Sequence, residues 1–243
     1  MSPDAKPILT VNGLVKRFGG FHALDGLSFH VSPGEILGLV GPNGSGKTTA
    51  INVISGLYAP DGGTLTYDGA SIGGMASHKL VHRGINRTFQ IPKPFLSLTV
   101  RQNVEVALAY GRAEVTPPKL TDLLEQYHLA ELADRPAADL NSSQQKMLDL
   151  VRALATRPRL LLLDELAAGL NPTELDWIAR HIKALAQSGL AIIVVEHLMG
   201  FIEQITDRVI VMNAGKEIFE GTLAVAVKVP QVIEVFLGGE HGA

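Results

Sequence analysis

Apolar positions along this chain follow two rhythms, and they switch where the chemistry of the sequence switches. Between residues 8 and 34, short apolar stretches alternate with Gly13, Gly19-Gly20, Gly26 and Pro33-Gly34, the pattern of antiparallel strands joined by turns. Ile36 to Val40 is then an unbroken apolar run of strand length, as expected of a strand covered on both faces. Ile51, Ile54 and Leu57 recur at helical spacing behind it. Asp61-Gly62-Gly63 and Asp68-Gly69 bracket Thr64-Leu65-Thr66-Tyr67 and predict a hairpin.

From about Leu98 to Leu154 the period becomes helical, through Val104, Leu108, Leu120, Leu124, Tyr127, Leu150 and Leu154, with breaks at Pro117-Pro118 and Pro136. Strand signals return at Leu160 to Leu163 and at Ala191 to Val195, with a helical stretch from Glu174 to Leu185 between them. Arg208 to Phe219, turning at Asn213-Ala214-Gly215-Lys216, reads as a hairpin, and Gln231 to Leu237 as a terminal helix. There are no internal repeats and no low-complexity segment.

Three of these apolar runs end in polar chemistry. The first runs into Gly41-Pro42-Asn43-Gly44-Ser45-Gly46-Lys47-Thr48, followed by Thr49, which matches the phosphate-binding loop Gly-x-x-x-x-Gly-Lys-[Ser/Thr]. Glycine lets the backbone curl so that successive N–H groups face an anion. Lys47 would reach the β- and γ-phosphates, and the Thr48 hydroxyl would ligate Mg²⁺. The strand before the loop and the helix after it supply the setting the motif requires, with phosphate at the positive end of the helix dipole.

The second run ends in Asp164-Glu165 and the third in Glu196-His197. Asp164 has the position of an acid that holds Mg²⁺ beside such a loop, and Glu165 is placed to activate water. Both acids would otherwise serve as caps of the next helix, and a histidine after a strand is by itself more often structural. Ligands in parallel α/β sheets bind at the carboxyl ends of the strands, so the three ends are expected to converge on one nucleotide.

The predicted fold is therefore α/β. It is a phosphate-loop NTPase core, a mainly parallel sheet with flanking helices plus an antiparallel β subdomain, with an inserted helical lobe. Residues 1–91 and 156–243 are assigned to the core and residues 92–155 to the lobe.

Bulk properties remove several alternatives. A formal net charge of −3 offers no basic field for nucleic acid, so no nucleic-acid partner is expected. The absence of cysteine rules out disulfides and thiolate metal sites. No apolar run approaches the roughly 18–20 residues that span a bilayer, so membrane subunits would have to be separate chains. Met1 to Lys6 carries Pro3 and Asp4 and no apolar segment, and no signal peptide is expected.

The order of these elements resembles the nucleotide-binding subunits of ATP-binding-cassette transporters over nearly the whole chain. Phosphate loop, Gln90, helical lobe, a glutamine-rich motif, Asp164-Glu165, a small-residue loop and His197 follow one another as in that family. The resemblance implies that ATP and Mg²⁺ are the cofactors and that Phe18 stacks on adenine. It implies that Gln90 links Mg²⁺ to the membrane partner, that Glu165 polarises water and that His197 senses the γ-phosphate. Ala167 to Asn171 would cross the interface of a head-to-tail pair with a second ATPase subunit, identical or related. Two transmembrane permease subunits, and indirectly a solute-binding protein, complete the implied assembly at the cytoplasmic face of the plasma (inner) membrane.

Narrower features are similar to the ATPases of branched-chain amino-acid importers, a group whose relatives also import urea and other small polar solutes. These features are Phe18-Gly19-Gly20, Arg87-Thr88-Phe89-Gln90, Ala167 to Pro172, Glu196-His197-Leu198-Met199 and the tail Val232 to Gly238.

Two departures stand out. The family signature Leu-Ser-Gly-Gly-Gln aligns with Leu140-Asn141-Ser142-Ser143-Gln144, the segment that would bind the γ-phosphate held by the opposite subunit. A β-carbon at Ser143 would crowd that phosphate, and would be strained if the glycine dihedral is positive; in the competing reading Ser142 and Ser143 are good caps whose hydroxyls replace the lost contacts, and activity is near normal. The alternative function is accordingly a structural or regulatory, weakly hydrolytic partner with a degenerate signature. Leu166 stands where the family usually has proline, and is expected to alter the loop that follows.

Overall fold

The computed structural model describes residues 6–238; Met1 to Ala5, most of the segment from which no signal peptide is expected, lie outside that range. In chain order the elements are β1 (Leu9–Phe18), β2 (Phe21–Val31), β3 (Ile36–Val40), α1 (Lys47–Ile54), β4 (Gly62–Tyr67), β5 (Ala70–Ser71), α2 (Ser77–Arg83) and β6 (Ile85–Arg87). Helices α3 (Val100–Ala109), α4 (Leu120–Gln126) and α5 (Ser142–Ala155) follow, the last two separated by two single 3₁₀ turns. Then come β7 (Leu160–Asp164), α6 (Pro172–Gln187), β8 (Ala191–Val195), α7 (Met199–Ile205), β9 (Arg208–Asn213), β10 (Lys216–Gly221), α8 (Leu223–Ala226) and α9 (Pro230–Gly238).

Two sheets result. One is antiparallel, in the order β2-β1-β4-β5, and the other has the order β10-β9-β3-β8-β7-β6. Strands β9, β3, β8, β7 and β6 are mutually parallel, and only β10 runs against its neighbour. Every residue of β3, β7 and β8 is buried, which is why these strands read as continuous apolar runs.

Alternation along those runs divides the core in two. Leu37, Leu39, Leu160, Leu162, Ile193 and Val195 face a cluster shared with α1 and the antiparallel sheet. Ile36, Val40, Leu161, Leu163, Ile192 and Val194 face a second cluster with α5 and α6. Because β3, β8 and β7 are neighbours, the loop after Val40 and the residues after Asp164 and Val195 open at one edge of the sheet.

The 61–69 hairpin is observed as β4 and a two-residue β5 around Asp68-Gly69 (φ 49° and 79°), while the long pairing of β4 is with β1. Both turn residues have positive φ, as a two-residue type I′ turn requires. The helical stretch after Leu98 is three α-helices, with Pro117-Pro118 between α3 and α4 and Pro136 between α4 and α5. Helices α2 and α7 and strand β6 carry no clear periodic signal, being three to seven residues long.

Candidate active site

Strand β3 delivers the chain into a loop that only glycine can build at two points. At Gly41 (φ 146°) a β-carbon would collide with the Met212 carbonyl, and at Gly46 (φ 104°) it would lie 2.5 Å from the carbonyl oxygen of Ala23. The loop enters α1 without a side-chain cap and with no acid in the first turn, which leaves the early N–H groups for an anion. Lys47 is buried and folds back over the loop, donating to the Gly41 carbonyl at 2.8 Å and the Pro42 carbonyl at 2.9 Å. Burial pushes its ammonium below the usual lysine range, an effect opposed by Glu165 and Asp164.

Asp164 ends β7 and is 1% exposed. Its Oδ2 faces the Arg87 guanidinium at 3.3 Å, and its N–H donates to the Thr88 hydroxyl at 3.3 Å. Its Oδ1 is buried without a hydrogen-bond partner in the chain. Burial pushes its carboxyl above the usual aspartate range, with Arg87 the main opposing influence. A buried carboxylate with a free oxygen, near enough to the phosphate loop to act on the Lys47 ammonium, has the chemistry of a Mg²⁺ ligand. Among the described residues no group of three or more His, Cys, Asp or Glu could hold a metal alone.

Glu165 carries the hydrogen bonds that unite the polar ends of the sheet. Its Oε2 accepts from Gln90 Nε2 at 2.8 Å, and its Oε1 lies 3.0 Å from His197 Nε2. Its backbone is left-handed, with φ 50°. A proline at position 166 would restrict this residue, so Leu166 gives Glu165 the freedom to adopt that conformation. Leu166 itself is 3% exposed and packs in the core.

Phe18 and Phe21, at the β1–β2 turn, form the far wall. Phe18 is half-exposed, edge-on to Tyr58 at 5.3 Å. Together with Lys47, Thr48, Gln90, Glu165 and His197 they line a cleft of about 370 Å³. The ABC transporter family model matches residues 24–168, more than half the chain and everything from the phosphate loop to Glu165.

The chain belongs to the ABC transporter family.

Its relatives include the high-affinity branched-chain amino acid transport ATP-binding protein BraF of Pseudomonas aeruginosa, 36% identical over 96% of this chain and 99% of that protein. LivG of Salmonella typhimurium, of the same description, is 35% identical over 96% and 99%. Among solved structures, a nucleotide-free ATP-binding cassette from an ABC transporter is similar with a TM-score of 0.84 and 31% identity, over 95% of this chain and 99% of that one. The ADP conformation of an ABC transporter cassette matches with a TM-score of 0.84 and 32% identity, over 96% and 100%.

Asn141, Ser142, Ser143 and Gln144, the residues aligned with the ABC signature, do not join this cleft within the chain. They open α5, and Asn141, Ser143 and Gln144 line a separate cleft of about 320 Å³ with Tyr127, Trp177 and Glu174. The expected backbone strain is absent. Leu140 and Asn141 have φ of −78° and −72°, and neither serine is among the described residues with positive φ. The reason is a capping box: Asn141 Oδ1 accepts from Gln144 N–H at 2.9 Å while Gln144 Oε1 accepts from Asn141 N–H at 3.1 Å. The extra hydroxyl is used as well, since Ser143 Oγ donates to Glu174 Oε1 at 2.9 Å and so ties α5 to the start of α6.

Ser143→Gly is therefore expected to lower stability by about 1 kcal/mol through loss of that hydrogen bond, with ATP turnover of the assembled complex unchanged. Thermal melts and phosphate release check this; a rise in turnover of about tenfold, worth some 1.4 kcal/mol of barrier, would show that the side chain obstructs the opposite site.

Arg87, Thr88 and Phe21 join the site although the sequence did not single them out as site residues. Arg87 and Thr88 were legible only as part of the Arg87-Thr88-Phe89-Gln90 motif.

Proposed function

We propose that this chain is the ATP-binding and ATP-hydrolysing subunit of a membrane importer of small polar solutes, with branched-chain or related amino acids as the favoured cargo. The observation that carries the hydrolytic reading is the Glu165 carboxylate, held between Gln90 and His197 at the mouth of the phosphate-loop cleft. The solute class follows from the relatives named above.

In this reading the amides of Gly41 to Thr49 and the Lys47 ammonium hold the phosphates, and Phe18 packs on the base. Thr48, Asp164 and Gln90 would hold Mg²⁺, which when bound neutralises charge developing on the transferred phosphoryl group. Glu165 accepts the proton of the attacking water. His197, exposed beside it, orients Glu165 and the terminal phosphate. The N-terminus of α5, with the Ser142 and Ser143 amides outside the capping box, would close over the ATP of a second ATPase subunit placed head to tail.

The permease subunits would dock on the groove of about 380 Å³ lined by Val81, Phe89, Phe95, Val106 and Tyr110. Tyr110 is 68% exposed there. Gln90 lies between Phe89 in that groove and Glu165 in the cleft, so movement of a docked helix would reach the carboxylate directly. No helix among the described residues is long and apolar enough to cross a membrane; in this reading the chain attaches through such partners at the cytoplasmic face.

The test is reconstitution of the full complex, with its co-encoded membrane proteins and binding protein, in lipid vesicles. ATP-driven uptake of radiolabelled leucine or a related amino acid is expected. Turnover that membrane partners leave unchanged, or transfer of phosphate to a soluble acceptor, would overturn the proposal.

A further inference from the structure

We infer that Lys146 and Glu196 are positioning residues for Glu165, holding the Glu165–Ala168 segment, one by its carbonyls and the other by an N–H, in the backbone conformation that aims the Glu165 carboxylate into the cleft. This rests on the reading of Glu165 as the group that acts on water.

The segment needs holding. A non-glycine residue with φ of 50° sits in a sparsely populated region, and such strain persists only where the surroundings over-determine it. Lys146 lies on α5 and is 7% exposed. Its Nζ donates to the carbonyls of Glu165 at 2.8 Å, Ala168 at 2.6 Å and, more loosely, Leu166 at 3.4 Å. An ammonium has three N–H donors, and here three consecutive-turn carbonyls take them. Glu196, 2% exposed, accepts the Ala167 N–H on Oε1 at 2.6 Å. Its Oε2 accepts the His197 N–H at 3.3 Å, so the same carboxylate reaches the second residue that touches Glu165.

Neither group is where burial alone would put a charge. Burial pushes the Lys146 ammonium below, and the Glu196 carboxyl above, the usual ranges for their types, and each group is among the charges that oppose the other's shift. No other polar side chain holds the backbone of residues 165–168 among the described residues. The Lys146 ammonium and the capping box at Asn141–Gln144 belong to the same helix, so the element that would meet the opposite ATP also fixes the base of this chain's own site.

The experiment uses the assembled complex with Lys146→Met, and Glu165→Gln as a reference. Lys146→Met is expected to lower kcat on the order of a hundredfold, the scale of a roughly 1 Å misplacement, with KM for ATP unchanged. Amide hydrogen exchange should rise in residues 165–169 and not in β7, and Lys146→Met added to Glu165→Gln should lower turnover no further. Should Lys146→Met fail to fold, Lys146→Arg keeps the charge, but its planar fork cannot meet three carbonyls from one atom, and an intermediate loss of kcat is expected. Unchanged exchange at 165–169, or equal losses in kcat and nucleotide affinity, would overturn the inference. Exchange reads the clamp whatever Glu165 does, whereas the turnover of Glu165→Gln reads the role of Glu165, so the two failures are distinguishable.

Discussion

Glu165→Gln is expected to reduce ATP turnover of the assembled transporter by roughly 10²–10⁴-fold, the usual contribution of a positioned general base, while leaving ATP affinity within error of wild type. The substitution is nearly isosteric. A glutamine oxygen can still accept from Gln90 Nε2, now 2.8 Å from Glu165 Oε2, and its amide can still meet a neutral His197 ring nitrogen, now at 3.0 Å. What disappears is the basic oxygen that takes a proton from water. Lys47, Thr48 and the glycine backbone, which do the binding in this reading, are untouched. Phosphate release and equilibrium binding of a fluorescent ATP analogue separate the two quantities. Turnover above about a tenth of wild type would move the base elsewhere, since a group worth so little barrier is not positioned for the proton.

The two halves of that site were unequally legible in the sequence. The phosphate loop was readable because its glycines answer a local demand: a β-carbon at Gly46 meets the Ala23 carbonyl whatever the rest of the protein does. Asp164, Glu165 and His197 were readable because each ends an apolar run, and neighbouring parallel strands bring such ends together. Strain at Ser143 was conditional on a positive dihedral, and the helix start there has none. The capping box of Asn141 and Gln144 was present in this sequence and supplies an ordinary helix start.

Lys146 carried no sequence signal. It looks like a solvated charge on a helix, and it is buried because α5 packs over the loop between β7 and α6, a tertiary fact. Arg87 was hidden differently, in a three-residue strand with polar residues at two of its positions.

Arg87→Met is the variant expected to cost most stability. Arg87 donates to Asn52 Oδ1 and to Ser55 Oγ at 3.2 Å on α1 and its exit, and to the Thr88 carbonyl at 3.1 Å. It also lies over the Phe89 ring at 4.6 Å. Its guanidinium is the cation facing the Asp164 carboxylate, and the two side chains are 9% and 1% exposed. Methionine preserves much of the stem but leaves Asp164 ionised, buried and unpaired. Breaking a buried pair from one side costs about 3–5 kcal/mol, which for a chain of this size is a fall in Tm of roughly 10 °C.

The pH dependence distinguishes lost charge from lost packing. Burial already holds the Asp164 carboxyl above its ordinary 3.8, and removing Arg87 removes the leading influence that lowers it. A carboxyl whose folded pKa is raised takes up its proton in the folded state before the unfolded one does. Stability therefore falls as pH rises from the unfolded value through the raised folded value, and the penalty is complete above it. The deficit of Arg87→Met should be largest at neutral pH and shrink as pH is lowered toward the ordinary carboxylate value. Mg²⁺ with nucleotide should also raise the Tm of Arg87→Met more than that of wild type, because a cation held by Asp164 would replace the missing charge. A Tm deficit that is the same at every pH, and untouched by Mg²⁺, would assign the loss to packing against Phe89 and α1 and remove Arg87 from the electrostatics of the site.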